Sequence, residues 1–181
     1  MEKLGLTSIF IFTIILSAMG QQPERLTGPI INDFGATFSV DQPDFITDTS
    51  MTYQVVFDIY NTPDDPSKVN PMLNTLARFL NMHAQAGVPL NQLKVVGVFH
   101  NKATHDILND EGYQERYGVN NPNLALLAAL EAANAQLFIC GQSIAARGVN
   151  RTQIHSSIKV ALSAMTVILS FHSKGYALIR F

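Results

Sequence analysis

Gln136-Leu137-Phe138-Ile139-Cys140-Gly141-Gln142-Ser143-Ile144 contains the only cysteine of the 181-residue chain. A short apolar run breaks off there at Cys-Gly, and residues able to start a helix follow. The pattern reads as a strand that delivers Cys140 to the N-terminal turn of a helix, where unpaired backbone N–H groups and the positive end of the helix dipole face the sulfur. A thiol in that position ionises more readily than a free one. The same residues also fit a second reading, a small buried hydrophobe, because free cysteine is among the most buried residue types.

Outward from this stretch, strand-like and helix-like segments alternate. Upstream, Leu93-Lys94-Val95-Val96-Gly97-Val98-Phe99 is β-rich and too short for a helix, as expected of a strand covered on both faces, and it ends at His100. Met51 to Tyr60 alternates and closes in Val55-Val56-Phe57-Asp58-Ile59, a second strand. Between them Asn70 caps a helix with Pro71 in its first turn, and Met72, Leu73, Leu76, Phe79, Leu80 and His83 recur at helical spacing up to Gly87. Asn101 to Gly118 reads as a loop with one or two short helical turns.

Asn121-Pro122 repeats the cap-plus-proline start, and Leu124 to Ala133 is apolar nearly all round, with Glu131 its only charge. Such a helix is covered on more than one side, either by the sheet and a neighbouring element or by a second subunit. Downstream of Cys140, Ser143 to Arg147 forms a short helix closed by Gly148, and Ile158 to Leu162 a strand. Ser163 then caps a helix through Met165, Val167, Ile168 and Phe171, and Tyr176 to Arg180 closes the chain as a strand. The order predicts an α/β fold, a mainly parallel sheet of about five strands with helices on both faces. Ligands gather at the carboxyl ends of such strands, where Asn61, His100 and Cys140 fall. His100 is there either a cation or proton acceptor for the thiol, or an ordinary cleft histidine.

Hydrophobic residues make up 47% of the chain and charged residues 14%, a composition with few charges to keep a large surface wet, so oligomerisation is expected. A net charge of −2 with no basic block argues against a nucleic-acid partner. Met1 to Gly20 has the form of a secretory signal peptide, with Lys3 ahead of the apolar run Ile9 to Leu16 and small residues at Ala18-Met19-Gly20. Cleavage before Gln21 is expected; an uncleaved anchor is the alternative, although the run is shorter than the ~20 residues that span a bilayer. Residues 21–50, rich in turn formers, read as an extended arm with one edge strand, and residues 51–181 as a single domain. The expected location is periplasmic or secreted, with no membrane contact once the leader is gone. A lone cysteine in an exported chain closes no internal disulfide, so Cys140 is an intermolecular, reactive or buried thiol.

Other constellations carry less. His100, His105 and Asp106 lack the spacing of a common zinc site, and no metal is expected. No phosphate-binding glycine loop, nucleophile elbow or carboxylate pair stands out, and no cofactor is expected. Asn150-Arg151-Thr152 has the glycosylation pattern.

Three blocks resemble the DsrE/DsrF-like family of sulfur-relay proteins: Val96-Gly97-Val98-Phe99-His100 with Ala103-Thr104 and Leu108; Phe138-Ile139-Cys140-Gly141-Gln142-Ser143 through Arg147-Gly148; and Gly175-Tyr176-Ala177-Leu178-Ile179. The resemblance implies a three-layer α/β sandwich over residues 51–181 and assembly into trimers or hexamers. It also implies that Cys140 matches the cysteine that, in active members, accepts sulfane sulfur as a persulfide and passes it to a partner. The leader sets this chain apart from the cytoplasmic relays that supply most of what is known of the family. Two functions follow as expectations: an exported sulfur handler loaded on Cys140 and serving a donor or acceptor protein, or a non-enzymatic oligomeric binding module that keeps the fold without the relay.

Overall fold

The structure is a computed structural model that describes residues 24–180, so the expected leader lies outside the described residues. Arg25–Leu26 (β1) and Thr37–Phe38 (β2) pair antiparallel as a two-stranded ribbon separate from the main sheet. The arm therefore supplies no edge strand to that sheet. It packs instead on helix Pro71–Gln85 (α1), where the buried Asn81 side chain takes the place of a strand partner. Asn81 Oδ1 accepts from Ile30 N and Ile31 N at 3.2 and 2.9 Å, and Asn81 Nδ2 donates to Ile31 O at 2.8 Å and Phe34 O at 3.0 Å. One side chain thus satisfies backbone groups that turn-rich sequence cannot pair within a sheet.

The main sheet contains Tyr53–Ile59 (β3), Leu93–Phe99 (β4), Gln136–Cys140 (β5), Ile158–Ala161 (β6) and Ala177–Ile179 (β7). All five run parallel in the order β6-β5-β4-β3-β7. Four helices follow α1: Asp110–Tyr117 (α2), Leu124–Ala132 (α3), Gly141–Ala146 (α4) and Ala164–His172 (α5). From β3 to β6 the chain steps outward strand by strand, and right-handed crossovers then keep α1 and α3 on one face. The return from β6 to β7 runs the other way across the sheet and places α5 on the opposite face.

The two faces hold separate cores. Val55, Phe57, Ile59, Val95 and Phe99 point toward α1 and α3, whereas Val56, Val96, Val98 and Cys140 pack with Ala164 and Val167 of α5. Helix α1 starts where Asn70 accepts from Met72 N and Leu73 N, and α5 starts where Ser163 accepts from Thr166 N. Leu126, Leu127 and Leu130 of α3 are fully buried, while its outward positions are Ala125, Ala128, Glu131 and Ala132. The sheet and α1 cover the leucine side of this helix. Asn121 does not cap α3. Its side chain turns into the preceding loop and donates to Asp106 O and Leu108 O at 2.9 and 2.6 Å.

Candidate functional site

Cys140 is the last residue of β5 and the cap residue of α4, as the Cys-Gly break predicts. Strand alternation turns its side chain to the α5 side of the sheet, where it keeps 6% of its surface exposed. Burial pushes the thiol up, but hydrogen bonds from the Ser143 hydroxyl and from the backbone N–H groups of Ala164, Ser143 and Gln142 more than offset it, so the thiol sits below its ordinary value. These donors come from the first turns of two helices, Gln142 and Ser143 from α4 and Ala164 from α5. Two positive helix ends therefore converge on one sulfur. Ser143 Oγ itself accepts from Asn101 N at 3.2 Å, which leaves its own hydrogen free to donate to the sulfur.

This convergence depends on Gly141. A Cβ built there would stand 2.6 Å from the carbonyl oxygen of Ala161 and 3.2 Å from that of Leu162. Only a residue without a side chain lets the start of α4 approach the β6-to-α5 turn this closely.

His100 directly follows β4 and continues it in extended conformation, on the strand next to β5 and on the Cys140 face of the sheet. Its Nε2 lies 2.6 Å from Asp58 Oδ1, on the neighbouring strand β3. Asp58 is buried, and its second oxygen, Oδ2, lies 3.4 Å from Arg180 Nε. The Arg180 guanidinium also stacks 4.4 Å over the Tyr60 ring. His100 and Cys140 thus share one edge of the sheet, while the ring nitrogen of His100 is engaged by Asp58 and the Cys140 sulfur is held by Ser143 and backbone.

The other candidates disperse. His105 Nδ1 pairs with the Tyr117 hydroxyl at 2.6 Å, and burial, with Arg116 and Arg147 nearby, pushes this imidazole down to about 4. Asp106 is buried behind the carboxyl edge and accepts from Thr62 Oγ1 and Asn70 Nδ2 at 2.7 and 2.6 Å. Burial pushes it up to about 6 against those two hydrogen bonds. Among the described residues, no three His, Cys, Asp or Glu side chains form a group able to hold a metal ion. Asn61 offers its carbonyl oxygen to Asn70 Nδ2 at 2.7 Å, a tie that fixes the loop after β3.

Asp58, Ser143 and Arg180 are the site residues that sequence reasoning passed over. Asp58 had a signal, being the one acid inside the apolar run of Val55 to Ile59. Ser143 and Arg180 had none beyond their positions.

The profile of the DsrE/DsrF-like family matches residues 54–181. Comparison with curated proteins gives no significant match. Among solved structures, the chain is similar to MTH1491, a protein of unknown function from Methanobacterium thermoautotrophicum, with a TM-score of 0.53 at 19% identity. It is also similar to the ychN protein from E. coli, with a TM-score of 0.52 at 15% identity. Each likeness covers 71% of this chain and 99% of the other. The arm before β3 lies outside the family match. The profile covers well over half of the chain and the structure has the five-stranded parallel sheet with helices on both faces, so the chain belongs to the DsrE/DsrF-like family.

Proposed function

We propose that this protein handles sulfane sulfur outside the cytoplasm, carrying it as a persulfide on Cys140. The observation that supports this reading is the set of donors on the Cys140 sulfur, a hydroxyl and three backbone N–H groups from two helix starts, which favours the thiolate. In the first half-reaction the Cys140 thiolate attacks the outer sulfur of a donor persulfide R–S–SH. A sulfur–sulfur bond forms to Cys140 and the donor's sulfur–sulfur bond breaks, with R–S⁻ as leaving group. In the second, an acceptor thiolate attacks the outer sulfur and Cys140 thiolate is the leaving group, so neither half needs an external oxidant or reductant. The donor set that favours the thiolate of Cys140 also favours its departure.

His100 takes the acceptor thiol's proton in this scheme. With Nε2 donating to the Asp58 carboxylate, Nδ1 is the ring's acceptor nitrogen. Homo-oligomers, trimers or hexamers, and a periplasmic or secreted location belong to the same proposal. Turnover between a small persulfide donor and a small thiol acceptor tests it: the wild-type chain accelerates the transfer and Cys140→Ser does not. Equal rates for the two chains would remove the reading.

A second reading is a non-enzymatic oligomeric binding module. The observation in its favour is the 6% exposure of Cys140, which leaves a donor only a narrow approach to the sulfur. It predicts a thiol inert to small alkylating agents in the folded protein and assembly unchanged in Cys140→Ala.

A further inference from the structure

Outside the site, one exposed apolar surface lies on the α5 side of the sheet. Leu162, Met165 and Leu169 are 72%, 71% and 68% exposed; Met165 and Leu169 stand one turn apart on the outer face of α5, and Leu162 lies just before its cap residue Ser163. Leu178 on the edge strand β7 is another exposed apolar residue of this side. The surface begins at the site, since Leu162 and Met165 flank Ala164, whose N–H points to the Cys140 sulfur. Its charges are all of one sign. No Asp or Glu occurs from residue 132 to the C-terminus, whereas Lys159 and Lys174 stand exposed at either end of the α5 segment.

The chain carries a second exposed apolar surface of opposite charge. Val40, Phe45 and Ile46 of the arm are 72%, 88% and 74% exposed, and Asp41, Asp44 and Asp48 alternate with them. No Lys or Arg occurs between residues 38 and 51. Val40 and Phe45 line a cavity with Met82 and His83 of α1, so this surface and the α5 surface belong to different sides of the molecule and cannot cover each other within one chain.

We infer that the acidic apolar arm of one copy docks on the basic apolar α5 face of the next, beside that copy's Cys140. Burial of the aliphatic and aromatic side chains supplies the attraction. The opposed charges fix orientation and partner choice more than affinity. A contact between two different faces is heterologous, and such contacts close into rings when the rotation between copies allows it. The arm lies outside the part of the chain that matches the family, so this contact belongs to this protein rather than to the fold at large. The inference rests on the homo-oligomer in the proposed function and adds which surfaces meet.

Charge exchange tests it. One variant carries Asp41→Lys and Asp44→Lys, the other Lys159→Glu and Lys174→Glu, and particle mass is followed by sedimentation over a concentration series. Each variant alone is expected to associate at least tenfold more weakly than the wild-type chain. An equimolar mixture is expected to regain association, because each arm then meets a face of opposite sign. Wild-type association of both variants would overturn the pairing of faces while leaving the oligomer standing, and a mixture that stays dissociated would do the same. A wild-type chain that is monomeric throughout the series would remove the oligomer and this contact together. A monomer that binds anionic lipid vesicles through Lys159 and Lys174 would assign the α5 face to a membrane surface instead.

Discussion

His100 Nε2 lies 2.6 Å from Asp58 Oδ1, and the two side chains come from adjacent parallel strands at the carboxyl edge of the sheet. Asp58 is buried, so removing its carboxylate leaves the imidazole N–H facing a site poor in water. The Arg180 side chain on the other oxygen of this carboxylate is 59% exposed, so that pairing is solvent-screened. Asp58→Ala is therefore expected to lower stability by about 1–3 kcal/mol. Arg180→Ala should cost no more than about 1 kcal/mol. Denaturant unfolding of the two variants measures the difference, and equal losses would mean that the His100 contact adds nothing.

Ser143, and not His100, is the side chain that hydrogen-bonds the Cys140 sulfur. A hydrogen bond to a charged group is stronger than one to a neutral group, so losing it shifts the balance toward the neutral thiol. The sign follows from the donor: without it the thiolate is less stable, the thiol pKa rises and the ionised fraction at neutral pH falls. The pH profile of Cys140 alkylation is expected to move upward in Ser143→Ala and to stay in place in His100→Ala. In the His100 variant the loss should appear in transfer to the acceptor thiol.

Gly141→Ala tests the close approach of α4 to the β6-to-α5 turn. The added methyl meets the backbone oxygen of Ala161 at 2.6 Å, and a backbone group yields less easily than the end of a flexible side chain. A loss of about 1–3 kcal/mol is expected, together with a higher alkylation midpoint, because the two helix starts are forced apart. Unfolding and alkylation measured on the same sample separate the two effects. An unchanged midpoint would show that the helix ends do not tune the sulfur.

Asp106 gives the fold a pH dependence of known sign. Its carboxyl is raised from 3.8 to about 6 by burial, so the folded state binds a proton more tightly than the unfolded chain does. Its contribution is fully present below pH 3.8 and is lost as pH rises through about 6. Between those values this one group lowers stability by about 1.4 kcal/mol per pH unit. Asp106→Asn, whose amide is able to donate to Thr62 Oγ1 and accept from Asn70 Nδ2, is expected to flatten that slope. The difference between the two stability curves isolates Asp106 from carboxylates such as Asp48, which hydrogen bonds to Ser50 hold below their usual value.

What was legible in the sequence is what local patterns encode. The apolar runs at Val55 to Ile59, Leu93 to Phe99 and Leu137 to Cys140, and the caps Asn70 and Ser163, specify strands and helix starts within a few residues of themselves. The placement of Cys140 at the β5-to-α4 junction was readable for the same reason. Groups set by distant partners were not. Asp58 meets His100 across 42 residues, and Asn81 holds an arm some 50 residues away. The Ala164 N–H reaches Cys140 from a second helix 24 positions on. Gly141 looks like a chain break in sequence, and only the folded Ala161 carbonyl shows that it must lack a side chain.

Intact-mass spectrometry of the folded protein after exposure to a persulfide donor shows whether the Cys140 sulfur accepts sulfane sulfur. A gain of one sulfur atom per chain is expected, reversed by a thiol acceptor and absent in Cys140→Ser. A wild-type chain whose mass is unchanged, with a thiol that still alkylates once the protein is unfolded, would contradict it.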